Sequence, residues 1–207
     1  MVIQYHGLES FKVQFGDTTL AFNPVSKKSA HRSTSFGADI ALVSLNHPDM
    51  NGVETAARGD KNPFVVSGPG EYEISGVAVR GLPSTSHYGG SNGINTIYLV
   101  TLEGMYLCFL GTLGEGELPS AIQEELDEID ILFIPVGGSG VLDAKAAHKL
   151  STKLEPHIVV PMHYTDTSLK QFLREEGESN GTPVDKLTLK QKDLVGKEGE
   201  IIVLKTL

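Results

Sequence analysis

Residues 42–51 read Leu-Val-Ser-Leu-Asn-His-Pro-Asp-Met-Asn, in which a short apolar strand, 40–44, runs into a histidine and an aspartate. Side chains two positions apart in an extended segment point to the same side of the backbone. The spacing therefore allows His47 and Asp49 to face one ion together. This stretch is the starting point for both the fold and the candidate site.

Two more histidines follow predicted strands. His87 lies in the loop-like stretch 85–90, and His163 follows the apolar strand 158–162. Imidazole nitrogens and carboxylate oxygens suit zinc, and a catalytic zinc needs about three such ligands together with an open position. Spacing alone is a weak signal, because a histidine at a strand end usually makes an ordinary hydrogen bond.

The first half of the chain is predicted to consist of short strands. Phe11, Val13 and Phe15 alternate with polar residues, and this period of two indicates a strand with one buried face. Glycine-containing turns between apolar segments predict three hairpins. Their strand pairs are 11–15 with 18–22, 71–74 with 77–82, and 95–101 with 105–110, and 64–67 is a further short strand.

The second half changes to a helical period. Apolar residues predict a helix within 118–129, a second helix capped by Asp143 and a third capped by Asp166. The continuous apolar strand 131–136 indicates a sheet covered on both faces. Strands 187–190 and 200–204 are expected to pair with each other. Strands followed by alternating helices and strands are typical of a mixed α/β or α+β sandwich, and without a visible linker we expect a single domain, 1–207.

The composition of the chain limits the kinds of molecule that it is expected to bind. The chain has 207 residues, 40% hydrophobic and 21% charged, and its 26 acidic and 17 basic residues give a net charge of −9. No basic stripe is visible, so nucleic-acid binding is disfavoured. No apolar run approaches the roughly 20 residues that cross a bilayer. With neither a secretory leader in the sequence nor more than one cysteine, Cys108, we expect a cytoplasmic protein.

The stretch 42–51 resembles the H-x-H-x-D-H signature of the metallo-β-lactamase superfamily, with the first and last histidines replaced. Other segments resemble, in order, that family's opening hairpin, the middle hairpins of its lactonase-like hydrolases, and their C-terminal half. They are YHGLESFKVQFGDTTLAFNP at 5–24, GPGEYEISGV at 68–77, INTIYLVTLEGMYLCFLG at 94–111, IPVGGSG at 134–140 and LEPHIVVPMHY at 154–164. The resemblance implies an α+β fold, the four-layer αβ/βα sandwich of metallo-β-lactamase type.

The same resemblance implies a metal site with missing ligands. Four of the family's ligand positions are kept, at His47, Asp49, His87 and His163. Three are lost, at Leu45, Met50 and Thr112. Leucine and methionine contribute little to a hard or borderline ion, and threonine does not supply the charge of a bridging carboxylate. A dinuclear centre is therefore not expected, and a single ion would use some of the four survivors, with Glu115 or Glu117 as additional carboxylates.

Two functions remain open. The first is a divergent hydrolase, in which one zinc, manganese or iron ion activates water toward an ester, a lactone or a phosphoester, with Asp49 as ligand or general base. The second is an inactive relative that binds a small molecule or a protein through the vestigial cleft, where the four survivors pair with one another. We expect this cleft where the loops after Ser44, Leu82, Leu110 and Met162 converge. A small-molecule partner is expected, and nothing in the sequence indicates an oligomeric state.

Overall fold

The computed structural model of the chain describes residues 1–90, 92–178 and 181–207. Within these residues the chain forms strands grouped in two sheets and a few helices. The strands are β1 (Val2–Tyr5), β2 (Phe11–Phe15), β3 (Thr18–Phe22), β4 (Ile40–Leu42), β5 (Phe64–Val66), β6 (Gly70–Ile74), β7 (Val77–Ser86), β8 (Gly93–Leu102), β9 (Met105–Phe109), β10 (Ile131–Pro135), β11 (Ile158–Met162), β12 (Leu187–Thr188) and β13 (Glu200–Ile201). The α-helices are α1 (Ser120–Gln123), α2 (Ala144–Leu154) and α3 (Asp166–Glu175).

The first sheet has the strand order β12-β1-β2-β3-β4-β5. Strands β1, β2 and β3 are antiparallel neighbours, whereas β4 and β5 continue the sheet in parallel with β3. Phe11 and Val13 are buried and Gln14 is exposed, as the alternating pattern predicts for a strand with one covered face. The predicted hairpin formed by β2 and β3 is confirmed with its predicted bounds.

The second sheet has the strand order β13-β11-β10-β9-β8-β7-β6. The strands β6, β7, β8 and β9 are successive antiparallel neighbours. From β9 onward, β9, β10, β11 and β13 run parallel to one another. Every residue of β10 and β11 is buried, because the other sheet covers one face and helices cover the opposite face. This confirms the prediction made from the apolar run at 131–136.

The core lies between the two sheets and is rich in aromatic side chains. The rings of Phe11 and Phe133 are 4.8 Å apart between centroids, and those of Phe22 and Phe109 are 4.9 Å apart. A second apolar cluster joins the outer face of the second sheet to α2 and α3, with Phe172 fully buried there. The expected α+β sandwich is therefore confirmed.

The predicted first helix is wrong over most of its length. Only Ser120–Gln123 is α-helical, and Glu128 has a left-handed φ of 54°. Four acidic residues occupy positions 124–128, where the negative end of the helix dipole would destabilise them. The apolar residues of this stretch, including Leu126 and Ile129, are buried all the same.

The predicted pairing of the last two strands is also wrong. Strand β12 pairs with β1 in the first sheet, and β13 pairs with β11 in the second sheet. The chain passes from one sheet to the other through a short 3₁₀ helix, Gln191–Leu194, whose Leu194 is buried in the core. Burying that leucine between the sheets carries the chain away from a local hairpin.

The first residues of α2 and α3 are set by side chains that cap the helix N-termini. Asp143 caps α2 as predicted, since its side chain accepts a hydrogen bond from the backbone N–H of Ala146. Thr165, and not Asp166, caps α3 and forms a capping box with Ser168. Among the described residues, no helix combines the length and the apolar character that crossing a bilayer requires.

Candidate functional site

His47 and Asp49 lie together on the loop that follows β4. The backbone N–H of Asp49 donates to His47 Nδ1 over 3.2 Å, and Asp49 Oδ2 lies 3.4 Å from the same nitrogen. Because Nδ1 accepts a hydrogen bond, the neutral imidazole carries its proton on Nε2. The side chains therefore come close, as their spacing predicted, but their polar atoms already engage each other.

The carboxylate of Asp49 is nearly buried and receives two hydroxyl groups. Ser29 Oγ donates to Oδ1, and Tyr88 Oη donates to Oδ2 over 2.6 Å. Burial alone would raise the pKa of Asp49, but these hydrogen bonds, with the two nearby imidazoles, hold it below its usual value. Asp49 is thus an ionised group whose lone pairs are largely occupied.

Tyr88 occupies the centre of the site. It begins a tight 3₁₀ turn, Tyr88–Gly90, in which both glycines adopt positive φ. Its ring packs edge-on against His47, with centroids 5.2 Å apart, and against His163, with centroids 5.0 Å apart. Burial, followed by the hydrogen bond to Asp49, raises the pKa of the phenol, so it stays protonated as a donor.

His163 pairs with a buried carboxylate that the sequence reading missed. Its Nδ1 lies 2.8 Å from Glu9 Oε1, and Glu9 is 0% exposed. The other oxygen of Glu9 accepts a hydrogen bond from Asn23 Nδ2 over 2.8 Å. The backbone of His163 has a left-handed φ of 52° and packs directly on Gly137, where a Cβ would lie 1.9 Å from the histidine carbonyl oxygen.

His87 is held apart from the other three. Its Nδ1 lies 2.8 Å from Asn92 Oδ1 and its Nε2 lies 3.1 Å from Glu115 Oε1. Hydrogen bonding to Asn92, and then to Glu115, raises the pKa of His87. Among the contacts of the described residues, none joins this ring to His47, Asp49 or His163.

The three positions that lost a ligand carry side chains with other roles. Met50 is fully buried. Thr112 is also fully buried, and both its N–H and its hydroxyl bond to Asn95 Oδ1, at 2.9 and 3.1 Å. Leu45 lines a pocket beside His47. These side chains offer no additional ligand.

One further histidine lies near the site. The side chain of His31 is 51% exposed, and its Nε2 lies 3.9 Å from Asp49 Oδ2. Ser29 and His31 belong to the long loop between β3 and β4, which folds back over the site. Loop residues of this kind have no periodic pattern, so only the three-dimensional contact reveals them.

The donor set does not fit a metal centre. Within the described residues, no three histidine, cysteine, aspartate or glutamate side chains are grouped so that they could hold an ion. The carboxylate of Asp49 is capped by two hydroxyl groups, and the ring of Tyr88 packs against both His47 and His163. A divalent ion prefers several free oxygen and nitrogen atoms around one point.

Residues 2–163 match the model of the beta-lactamase superfamily domain. The chain belongs to this family, and its fold is that of the metallo-β-lactamase superfamily.

Two relatives are named UPF0173 metal-dependent hydrolase. The protein from Thermococcus onnurineus is 27% identical over 91% of this chain and 87% of its own length. The protein from Natranaerobius thermophilus is 25% identical over 86% of this chain and 94% of its own length. A solved structure from Thermotoga maritima, described as belonging to the metallo-β-lactamase superfamily, has a TM-score of 0.80 and 26% identity, and covers 98% of this chain and 97% of that one.

Proposed function

We propose that this chain is a metal-free member of the family that binds a small molecule in its cleft and does not hydrolyse it. The single observation that carries the proposal is the position of Tyr88. Its hydroxyl donates to Asp49 and its ring lies between His47 and His163. In this chain a protein side chain therefore contacts three of the four kept ligand positions, Asp49, His47 and His163, at once.

The polar groups of the site satisfy one another. A buried carboxylate is costly unless it is paired and hydrogen-bonded, and both Asp49 and Glu9 meet that condition. An incoming ion would have to displace the hydroxyls of Ser29 and Tyr88. This arrangement supports a degenerate site in which hydrogen bonds, and not a metal ion, stabilise the buried carboxylates.

A divergent hydrolase is the second candidate function. It would use at most one zinc, manganese or iron ion to activate water toward an ester, a lactone or a phosphoester. The observation that favours it is that His31 and His47 both approach Asp49, at 3.9 and 3.4 Å, and that relatives at 25–27% identity are named metal-dependent hydrolases. In this alternative Asp49 is the general base.

The proposed function also specifies the class of ligand and the cellular compartment. The occupant of the cleft is a small molecule, and no nucleic-acid or membrane partner is expected. We keep the cytoplasm as the compartment, because the single cysteine, Cys108, is buried and leaves no partner for an internal disulfide.

Metal titration separates the two candidates. Protein purified without an affinity tag or a chelator is analysed for metal content and then titrated with zinc, manganese and iron(II) while its melting temperature is followed. We expect far less than one metal per chain and no stabilisation. An ion present at 100 times its Kd would stabilise the native state by about 2.7 kcal/mol, which is readily detected.

Matched histidine variants make the result specific. One metal per chain, lost in His47→Ala but kept in His157→Ala, would overturn the metal-free proposal and favour the hydrolase. His157 is a suitable control because it directly precedes β11, at the opposite end of that strand from His163. Metal uptake that survives His47→Ala and His163→Ala alike would indicate binding elsewhere on the chain and leave the proposed cleft metal-free.

A further inference from the structure

A pocket of about 430 Å³ opens beside His47 and Tyr88. Its walls come from the loop after β4, the β5–β6 turn and the first residues of β8, so both sheets contribute. Ligand pockets commonly have volumes of about 300–1,000 Å³. A larger cavity of about 850 Å³ lies elsewhere, beyond the C-terminal end of α2, but it is lined by five glutamates and by none of the candidate site residues.

The lining of the pocket has an apolar side. Leu45, Pro69 and Ile94 contribute aliphatic surface, and Leu45 stands where the family's signature has a histidine. Ile94 is 72% exposed even though it belongs to a strand. The side chain of Leu45 packs on Gly93, where a Cβ would lie 3.0 Å from Leu45 Cδ1. A medium-sized aliphatic group would bury surface that is now in contact with water.

The polar side of the pocket consists of hydroxyl, amide and imidazole groups. None of the described residues that line it is an aspartate, glutamate, lysine or arginine. His47 accepts the N–H of Asp49 at Nδ1, so its free nitrogen is a donor. The hydroxyl of Tyr88 is committed to Asp49, so its proton is not available to a ligand. A charged head group would lose water here, and no carboxylate, ammonium or guanidinium group of the lining offers it a counter-charge.

We propose that this pocket binds an uncharged small molecule with a short aliphatic body and a carbonyl oxygen, the oxygen facing the imidazole of His47 and the body facing Leu45, Pro69 and Ile94. This inference rests on the proposed function, because it treats the cleft as a binding site without a metal ion. It adds to that function the chemical class of the ligand.

Three six-carbon probes test the charge preference. Hexanamide, hexanoate and hexylammonium differ mainly in the charge of the head group, and ligand-detected NMR titration measures each Kd on the wild-type chain. For ligands of this size in an open pocket, we expect Kd values in the millimolar range. We expect hexanamide to bind at least tenfold more tightly than either charged probe. Equal affinity for all three probes, or binding of none, would overturn the proposal.

Two single-residue variants test whether hexanamide binds in this pocket. Ile94→Asn is expected to weaken hexanamide binding at least fivefold without affecting folding, because the side chain is already largely exposed. Val195→Asn is the matched control, since Val195 is 85% exposed and is not part of this pocket. Binding that Ile94→Asn leaves unchanged would place the probe elsewhere and overturn the proposal.

The two proposals fail in distinguishable ways. If no probe binds and no metal binds, the ligand class is wrong and the metal-free cleft remains. If a metal binds through His47, the proposed function is wrong whichever probe binds.

Discussion

Replacing Tyr88 by phenylalanine should destabilise the protein at neutral pH. The substitution keeps the ring that packs on His47 and His163 and removes only the hydroxyl that donates to Asp49 over 2.6 Å. Hydrogen bonds to charged groups contribute about 1.5–3 kcal/mol. Because the site is partly open to solvent, we expect the lower end, about 1.5 kcal/mol in the free energy of unfolding. For a chain of this length that loss corresponds to roughly 3–6 °C in melting temperature.

The pH dependence of this loss identifies its cause. The hydrogen bond favours the ionised form of Asp49, whose pKa is held below its usual value. Its stabilisation is therefore present above the ordinary aspartate pKa and disappears as the pH falls through the lowered pKa of the folded state. The difference between wild type and Tyr88→Phe should be full at pH 7 and should shrink below about pH 4.

Urea denaturation of both proteins at pH 7 and pH 3.5 measures the difference. Tyr106→Phe is the matched control, because its ring is 46% exposed and lies outside the site; it should change stability by less than about 0.5 kcal/mol at either pH. If Tyr88→Phe is as stable as wild type at pH 7, or if its deficit is the same at both pH values, then the hydroxyl does not hold the ionised carboxylate and the reasoning fails.

Three further predictions concern buried groups. Burial lowers the pKa of His6 to about 4 from 6.5, so stability should fall as the pH drops through this window, by at most about 3 kcal/mol, and His6→Phe should abolish that fall in urea titrations at pH 7 and 4.5. Glu9→Ala should cost about 3–5 kcal/mol, because His163 loses its buried partner, whereas Glu9→Gln should cost clearly less; thermal denaturation compares them. Gly137→Ala should destabilise strongly, since a Cβ would clash with the backbone of His163, while Gly116→Ala, whose nearest neighbour is 3.5 Å away, should melt like wild type.

The sequence predicted the strands well because their signal is local. Alternation and glycine turns identified the hairpin of β2 and β3, and the continuous apolar run at 131–136 identified β10 as a strand covered on both faces. The first helix and the last hairpin were wrong because they depend on tertiary contacts. Charge at the helix end shortened α1, and the burial of Leu194 sent β12 and β13 to different sheets.

The site could be predicted only in part. His47 and Asp49 are neighbours in sequence, so their spacing sufficed to bring them together. The hydrogen-bond partners of these side chains lie far away along the chain. Ser29 is 20 residues and Tyr88 is 39 residues from Asp49, and Glu9 is 154 residues from His163. Glu9 lies in a stretch that otherwise indicates a hairpin, and a lone carboxylate there gives no signal until the fold buries it.

Asn23 shows how the changes at this site depend on one another. Its amide Nδ2 donates both to Glu9 Oε2 and to Ser44 Oγ, each over 2.8 Å, which an aspartate at this position would not do. An ionised aspartate has no proton to donate and would put a second negative charge against a fully buried carboxylate. The asparagine is therefore required by Glu9, and Glu9 in turn holds the imidazole of His163. Hydrogen bonds from this one asparagine and its partners thus join four separate segments of the chain at the cleft.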